Sequence, residues 1–304
     1  MPGAGTLVAS GGRLPEQAST TIVAGTRFCA SVTELPRPMR KTRSEQVLYT
    51  MNITSPQDLA GLIAVGDVVG RTIVHMARHM EPGMTTAELD AIGADFLAEH
   101  GAESAPVKTY QYPAATCISI NDEAAHAIAS PDRVIRPGDL VNIDVSAVKD
   151  GYYGDSGASF PVPPVSDEVQ RLCDYTKRAL QAALDAVKAG ENLWVIGKAA
   201  EKVAKEGGYT IIKQLGGHGI GRKLHEPPHS IPHYYTKRAR GKLTNGQVLT
   251  IEPFLNTGKG KIYTAEDGWT LITTDGSLSA QYEHTVVITE GKPVLTTRVE
   301  GVTW

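Results

Sequence analysis

Two aspartates in the middle of the chain have a spacing that can place their carboxylates side by side. Asp144 and Asp155 flank an Asp150-Gly151 dipeptide, which favours a two-residue hairpin turn because both central positions need positive φ. With an even loop of this kind, Ser146 lies opposite Asp155, and Asp144 falls on the same face one diagonal step away. Two carboxylates that close repel each other unless one is protonated or a metal ion lies between them. The hairpin therefore predicts a proton-sharing carboxyl pair or a metal site.

Three further donor side chains stand at strand-like or glycine-rich positions in the second half: His218, Glu252 and Glu283. With the two aspartates they make a hard, oxygen-rich set, which suits Mn, Fe, Co or Zn in a two-metal site and disfavours structural zinc. Two divalent ions about 3.5–4 Å apart could share the acids and hold a bridging water as the nucleophile. Any one of these acids alone is more often a solvated strand residue. Their number and their matching positions indicate a site.

Two more histidines, His126 and His225, are candidates for work on a substrate. An imidazole can donate to a developing oxyanion or to an amide nitrogen. The alternative for each is a partly buried, hydrogen-bonded histidine with no chemical role. His75 and His79 are four residues apart in a predicted helix, but they lack the glutamate that a zincin motif places between its histidines.

Two glycine-containing motifs have alternative interpretations. GGHGIG (216–221) resembles a dinucleotide loop, but the following segment is rich in proline where a helix would have to begin. GDSG (154–157) also surrounds the nucleophile of trypsin-like proteases, with Ser156 acting beside His126 and Asp144. Those three residues are too close in sequence to build two β-barrels, and the helical segments contradict an all-β fold.

The elements that must position these groups occur twice. Each half begins with two amphipathic helices. In the first half, one helix runs from Pro56 to Pro82-Gly83 and the next begins after a Thr85 capping box, and strands are predicted around 105–121 and 134–160. In the second half, helices are predicted over about 169–187 and 193–203, and strands resume near Tyr209.

The segment RPGDLVNID (136–144) is echoed by TNGQVLTIE (244–252), so Glu252 takes the place of Asp144. A duplicated helix-helix-sheet unit predicts an α+β fold whose two halves are related by a pseudo-two-fold axis, with antiparallel strands in a shared sheet and helices on its outer face.

The bulk composition restricts the class of protein. A chain of 304 residues with 41% hydrophobic residues and a net charge of −3 gives no reason to expect a nucleic-acid or membrane partner. Three widely spaced cysteines, Cys29, Cys117 and Cys173, fit a reducing compartment such as the cytoplasm. Residues 1–50 are predicted to be a disordered extension and residues 51–304 the catalytic domain. An organelle-targeting role for the extension and a start at Met51 both remain open.

Several motifs together resemble the type I methionine aminopeptidases over about residues 52–292. In chain order they are CISINDE-x-x-H, VNIDV followed by YGDS, GHGIGR-x-x-HE-x-P, IEP and DGWT with SLSAQYEHT. The resemblance implies the pita-bread (creatinase/aminopeptidase) fold. It also implies removal of the initiator Met from nascent chains with a small second residue, through attack of a metal-bridging hydroxide on the first peptide bond. We expect a monomer that meets its substrates, the N-termini of nascent polypeptides, at the ribosome.

The resemblance also implies roles for individual residues. The five donors would bind two divalent ions, His126 and His225 would contact the scissile peptide and its tetrahedral intermediate, and Glu252 would also be a base for the attacking water. The residues that fall where the family lines its methionine pocket, a setting suited to a thioether, are Tyr112, Cys117, Trp269 and Gln281. Departures concern the edge of that pocket: Leu224 stands where an aromatic is common, and a second cysteine before Tyr112 is missing.

Two alternative functions remain at this stage. An Xaa-Pro aminopeptidase or dipeptidase would share the five donors but would normally carry a substantial extra N-terminal domain. A non-catalytic binding module on the same fold would use the cleft to hold a peptide, although such relatives usually lose metal ligands.

Overall fold

Helices and antiparallel strands alternate in a computed structural model of the protein, which describes residues 51–302 and residue 304. The helices in these ranges are α1 (Pro56–His79), α2 (Thr86–Glu99), α3 (Ala105–Tyr110), α4 (Asp167–Ala186) and α5 (Trp194–Gly207). The strands are β1 (Glu103–Ser104), β2 (Cys117–Ile120), β3 (Glu123–Ala125), β4 (Leu140–Lys149), β5 (Tyr152–Pro161), β6 (Thr210–Ile211), β7 (Gly216–Gly219), β8 (Glu226–Pro232), β9 (Val248–Ile251), β10 (Phe254–Asn256), β11 (Ile262–Thr264), β12 (Leu271–Thr273), β13 (Ser279–Gln281), β14 (His284–Val287) and β15 (Val294–Leu295).

The hairpin of β4 and β5 has the predicted turn and register. Asp150 and Gly151 both take positive φ, 51° and 76°, as a turn with the twist of the flanking strands requires. Ser146 pairs with Asp155, and Asp144 pairs with Gly157. Asp144 and Asp155 therefore lie on one face, as the sequence predicted.

The second half supplies a five-stranded sheet in the order β15-β14-β9-β7-β8 and a smaller sheet of β13, β10 and β6. The two halves are joined along β5: the Glu283 N–H donates to the Gly157 carbonyl at 2.9 Å, and the Asp155 N–H donates to Thr285 Oγ1 at 3.0 Å. Helix pairs α1-α2 and α4-α5 precede the strands of their halves. The predicted α+β fold with duplicated halves is confirmed, but the strands of the described residues form four sheets and not one shared sheet.

Helix α1 begins where a capping box fixes its first turn, with Ser55 as N-cap and Asp58 reaching back to the Ser55 N–H. It is long and apolar enough to span a membrane by composition, but its apolar face packs on β4 and β5. Val65, Val69 and Ile73 are fully buried there in the main core. That packing is typical of a core helix in a globular protein.

One predicted segment differs from the structure. The strand expected over 105–121 begins only at Cys117, because Ser104 caps a short helix that has Pro106 in its first turn, where proline is favoured. His218 lies within strand β7, and its flanking glycines let the backbones of β8 and β9 approach closely. The predictions for residues 1–50 lie outside the described residues.

Candidate metal centre and active-site cleft

Three carboxylates from three segments converge at the junction of the two halves. Asp144 on β4, Asp155 on β5 and Glu283 between β13 and β14 each place one oxygen within 4.8 Å of the others. Asp155 and Glu283 are buried, and Asp144 is partly buried. The grouping follows from the even hairpin and from the hydrogen bonds that attach β5 to the Glu283 segment.

His218 and Glu252 complete the set. The His218 Nε2 lies 3.6 Å from Asp155 Oδ2 and 3.9 Å from Glu252 Oε1. Its Nδ1 is 2.9 Å from the Gly219 carbonyl, so a proton on Nδ1 would leave Nε2 as the lone-pair nitrogen that faces the acids. The five residues proposed as donors from the sequence are thus brought together.

Neutral side chains hold the acids in place. Gln281 Nε2 donates to Asp144 Oδ2 at 3.2 Å and to Glu283 Oε2 at 2.9 Å, while its Oε1 accepts from Asn142 Nδ2 at 2.8 Å. The Ser146 hydroxyl donates to Asp155 Oδ1 at 2.7 Å. These bonds orient the carboxylates without neutralising them, as the outer partners of metal ligands do.

The electrostatics of the acids are those of a crowded anionic site. Burial, followed by the charges of Asp155 and Glu252, raises the pKa of Asp144 well above its usual range. Burial and the neighbouring acids also raise the pKa of Glu283, and burial raises that of Glu252 to about 7. Burial alone would lower the pKa of His218, but Asp155 and Glu252 raise it. The acids are therefore held protonated more readily by burial and by one another, and the imidazole is held charged more readily by the acids beside it.

The donor set fits divalent metal ions. Four carboxylates and one imidazole are the ligands that Mn, Fe, Co and Zn accept, and Glu283 Oε1 is fully enclosed without a hydrogen-bond partner among the described residues. An unpaired buried carboxylate oxygen is costly unless something positive occupies the space beside it. A cation between these acids would remove both the repulsion and the missing contact.

A cavity of about 220 Å³ opens beside the acids. His126 and His225 reach it and remain accessible from it. Enclosure by the protein lowers the pKa of His126, and enclosure together with nearby His218 lowers that of His225 to about 4, so both rings are neutral near pH 7. His126 also has a φ of 57°, an uncommon conformation for a residue other than glycine, which tends to be kept at functional positions.

Part of the cavity lining is an apolar and aromatic wall. Tyr112, Cys117 and Trp269 line it, and the Tyr112 and Trp269 rings meet edge to face at 5.1 Å between centroids. The Tyr112 hydroxyl donates to the Ala127 carbonyl at 2.8 Å, which fixes the ring. Gln281 is placed differently: it lies behind Asp144 and Glu283 and is not among the residues that line the cavity.

The alternative interpretations of single residues have no support in this geometry. Ser156 is fully buried, and its hydroxyl donates to the Glu283 carbonyl at 2.7 Å, which is a structural contact. No helix follows the GGHGIG segment, since β8 and a loop come next. The His75 and His79 rings on α1 are tilted against each other at 4.3 Å between centroids, and the acids that could hold a metal lie elsewhere.

Sequence reasoning missed several residues of the site. Thr250 donates to Glu252 Oε1 at 2.8 Å, and Thr285 donates to the Asp155 carbonyl at 2.7 Å. Each stands two residues from a donor acid on the same strand face, so strand alternation could have found them. Tyr110 and Phe254 also reach the cavity, and no local pattern predicts them.

The fold and the site together define a metal-dependent hydrolase with a duplicated α+β architecture. Residues 60–290 match the model of metallopeptidase family M24. "Methionine aminopeptidase 2" of Bacillus subtilis (strain 168) is 45% identical over 249 residues, which are 82% of this chain and 100% of that protein. The chain belongs to the M24 metallopeptidases.

Solved structures agree with this assignment. A methionine aminopeptidase from Thermotoga maritima has a TM-score of 0.78 at 31% identity, covering 82% of this chain and 100% of its own. A prolidase from Pyrococcus furiosus has a TM-score of 0.66 at 23% identity, covering 82% and 66% respectively, a likeness that shows the fold alone. The predicted pita-bread fold, the resemblance to methionine aminopeptidases and the assignment as a peptidase are confirmed.

Proposed function

We propose that this protein removes the N-terminal methionine from peptides and nascent proteins whose second residue is small. One observation carries the proposal: a single cavity is lined both by the five donors and by Tyr112, Cys117 and Trp269. A scissile bond at the acids would place the first side chain of the substrate against that wall, where aromatic rings and a thiol suit a thioether. The methionine aminopeptidases among its relatives support the substrate class.

The five donors, Asp144, Asp155, His218, Glu252 and Glu283, would hold the metal. When bound there, two divalent ions would supply Lewis acidity to the peptide carbonyl and lower the pKa of the attacking water. Co, Mn, Fe and Zn all match the donor set, and metal-replacement activity would distinguish them.

Glu252 is suited to take a proton from the attacking water. Its Oε1 accepts from the Thr250 hydroxyl, while Oε2 has no hydrogen-bond partner among the described residues and can receive the proton. The backbone N–H of Glu252 donates to His233 Nε2 at 3.0 Å, which fixes the start of the turn that carries this acid. A base held at one oxygen and free at the other is positioned for transfer.

His126 and His225 are suited to act on the substrate itself. Both are neutral rings at the cavity surface, so each can donate one N–H to the peptide carbonyl as it becomes an oxyanion, or to the amide nitrogen as it leaves. The aromatic wall would exclude water around the first side chain. Binding and orientation are therefore supplied by side chains from both halves of the chain.

The setting of the reaction is also part of the proposal. The proposed substrates are N-termini that emerge at the ribosome. The proposed location is the cytoplasm, and the proposed state of the protein is a monomer. The free thiols of Cys117 and Cys173 are compatible with a reducing compartment.

Peptide hydrolysis tests the proposal directly. The metal-stripped protein is assayed on Met-Ala-Ser and on Ala-Pro-Ala, with Mn, Fe, Co or Zn added back. We expect metal-dependent release of Met from the first peptide only. Replacement of Asp144 or Glu283 by Ala should abolish turnover, whereas Asp132→Ala, at an exposed acid outside the cavity, should not.

Three outcomes would contradict it. Cleavage of the proline peptide alone would retain the metal centre and replace the substrate. Full activity of both cavity variants would remove the acids from the reaction. Failure to bind any transition metal would favour a peptide-binding protein on this fold.

A further inference from the structure

The hydroxyl of Tyr110 lies 2.6 Å from Nδ1 of His225, a short hydrogen bond between residues that are far apart in sequence. Tyr110 ends helix α3, and Gln111 follows with a φ of 57° that reverses the chain toward Tyr112. Tyr110 is therefore presented at the rim of the cavity, where its side chain is 43% exposed. The contact with Tyr110 is the one hydrogen bond that the His225 ring makes with the described residues.

The direction of this bond determines whether the ring nitrogen of His225 that is left for the substrate carries a proton. A neutral imidazole has one nitrogen that accepts and one that carries the proton. A phenol that donates to Nδ1 leaves the proton on Nε2, the nitrogen without a partner in the described protein. The centroids of the His218 and His225 rings lie 4.0 Å apart, so the His225 ring faces the donor cluster. Rotation of the His225 ring would change how its free nitrogen faces the cavity.

We propose that Tyr110 is a positioning residue for His225: its O–H donates to Nδ1, which fixes the ring orientation and keeps the proton on Nε2, where it can be donated to the substrate. The inference rests on the proposed function for its catalytic consequence, but the bond itself can be tested without turnover. The role is distinct from a direct substrate contact, which would act through binding.

Support comes from the chemistry of the phenol. Burial of its hydroxyl, and the charge of Asp155, raise the pKa of Tyr110, so the group remains a donor at neutral pH. Ser104 anchors the other end of α3 by donating to the Ala115 carbonyl at 2.7 Å. The helix thus holds Tyr110 from a fixed base and not from a free loop.

The first test compares Tyr110→Phe with the unmodified protein on Met-Ala-Ser. Loss of one neutral hydrogen bond should lower kcat about 3- to 10-fold with KM nearly unchanged. Tyr235→Phe is the matched control, since Tyr235 is 44% exposed and its ring contacts Trp194 outside the cavity. A raised KM with unchanged kcat would make Tyr110 a substrate contact and overturn the proposal.

A double-mutant comparison separates positioning from general disturbance. If Tyr110 acts through His225, Tyr110→Phe should have almost no effect on kcat in a His225→Ala background. An equal loss in both backgrounds would show that Tyr110 acts independently of His225, and the proposal would be wrong.

A spectroscopic test does not depend on turnover. Long-range ¹H–¹⁵N spectra of histidine-labelled, zinc-loaded protein report which ring nitrogen is protonated, and His225→Ala identifies the His225 signals. We expect an unprotonated Nδ1 and a protonated Nε2 in the unmodified protein, and a shifted or mixed pattern in Tyr110→Phe. Identical spectra, or a protonated Nδ1 in the unmodified protein, would refute the bond. An inactive but correctly bonded protein would instead count against the proposed function.

Discussion

Replacing Glu252 with glutamine should stabilise the metal-stripped protein at alkaline pH while abolishing hydrolysis. The carboxyl group of Glu252 is mostly buried, with 12% of its side chain exposed, and burial raises its pKa from 4.5 to about 7. Glutamine keeps the size of the side chain and an oxygen for the Thr250 hydroxyl. The substitution therefore removes the charge and little else.

The sign and the size of the effect follow from proton linkage. Between about pH 4.5 and pH 7 the folded protein keeps a proton on Glu252 that the unfolded chain has released, so stability falls as pH rises through that window. A difference of roughly 2.5 pKa units corresponds to about 3 kcal/mol at pH 8, and to about 1 kcal/mol or less at pH 5. His218, whose Nε2 is 3.9 Å away, loses a counter-charge in the variant. We therefore expect a gain of about 1–3 kcal/mol at pH 8.

Urea unfolding in the presence of a chelator, at pH 5 and at pH 8, measures this difference. Glu266→Gln, at an exposed glutamate, is the control and should change stability little at either pH. Equal stabilities of the unmodified protein and Glu252→Gln at both pH values would refute the claim that Glu252 is held at an electrostatic cost. Added metal should stabilise the unmodified protein more than the variant, because the variant has lost a ligand.

Two further predictions concern groups that support the site or the fold. Gly157→Ala would place a methyl group 2.6 Å from Cδ and Nε2 of Gln281. We therefore expect the free energy of unfolding to fall by about 1–3 kcal/mol and metal binding, measured by calorimetry, to weaken 10- to 100-fold. Gly241→Ala is the control and should be neutral, because the nearest side-chain atom is 3.9 Å away. Asp58→Asn should lower the free energy of unfolding by about 1–2 kcal/mol at pH 7. Burial alone would raise the pKa of Asp58, but hydrogen bonds from Thr54, Ser55 and Tyr152 outweigh burial and lower it, so the charged carboxylate is the stabilised form. Since that stabilisation is present above about pH 4 and lost as pH falls, the gap between Asp58→Asn and the unmodified protein in urea should close in acid, and a constant gap would contradict the assignment.

Local chemistry made the hairpin and the helix starts predictable. The Asp150-Gly151 turn fixes the pairing of β4 with β5, so the shared face of Asp144 and Asp155 follows from a dipeptide and strand alternation. The capping box at Thr85 likewise marks the start of α2. The segment after Ser104 shows the limit of apolar alternation, since a cap and a proline in the first turn favour a helix there.

Contacts between distant segments are not encoded in any local pattern. The position of Gln281 behind Asp144 depends on β13 meeting β5 across the junction of the halves. The bond between Tyr110 and His225 joins α3 to the loop before β8 in the same way. Motif resemblance placed Gln281 near the site, but only the packing of the two halves assigns its partners.

The same junction explains how an arrangement of repelling charges can be part of a stable fold. The backbone of Asp155 is held by Thr285 through two hydrogen bonds, and that of Glu283 by Gly157 and Ser156. These contacts are neutral and buried, so they persist at any pH at which the strands pair. The carboxylates are therefore brought within reach of a common cation by strand pairing and not by their own interactions. Proteins commonly accept such local destabilisation where function needs it, and here the rest of the core must offset it.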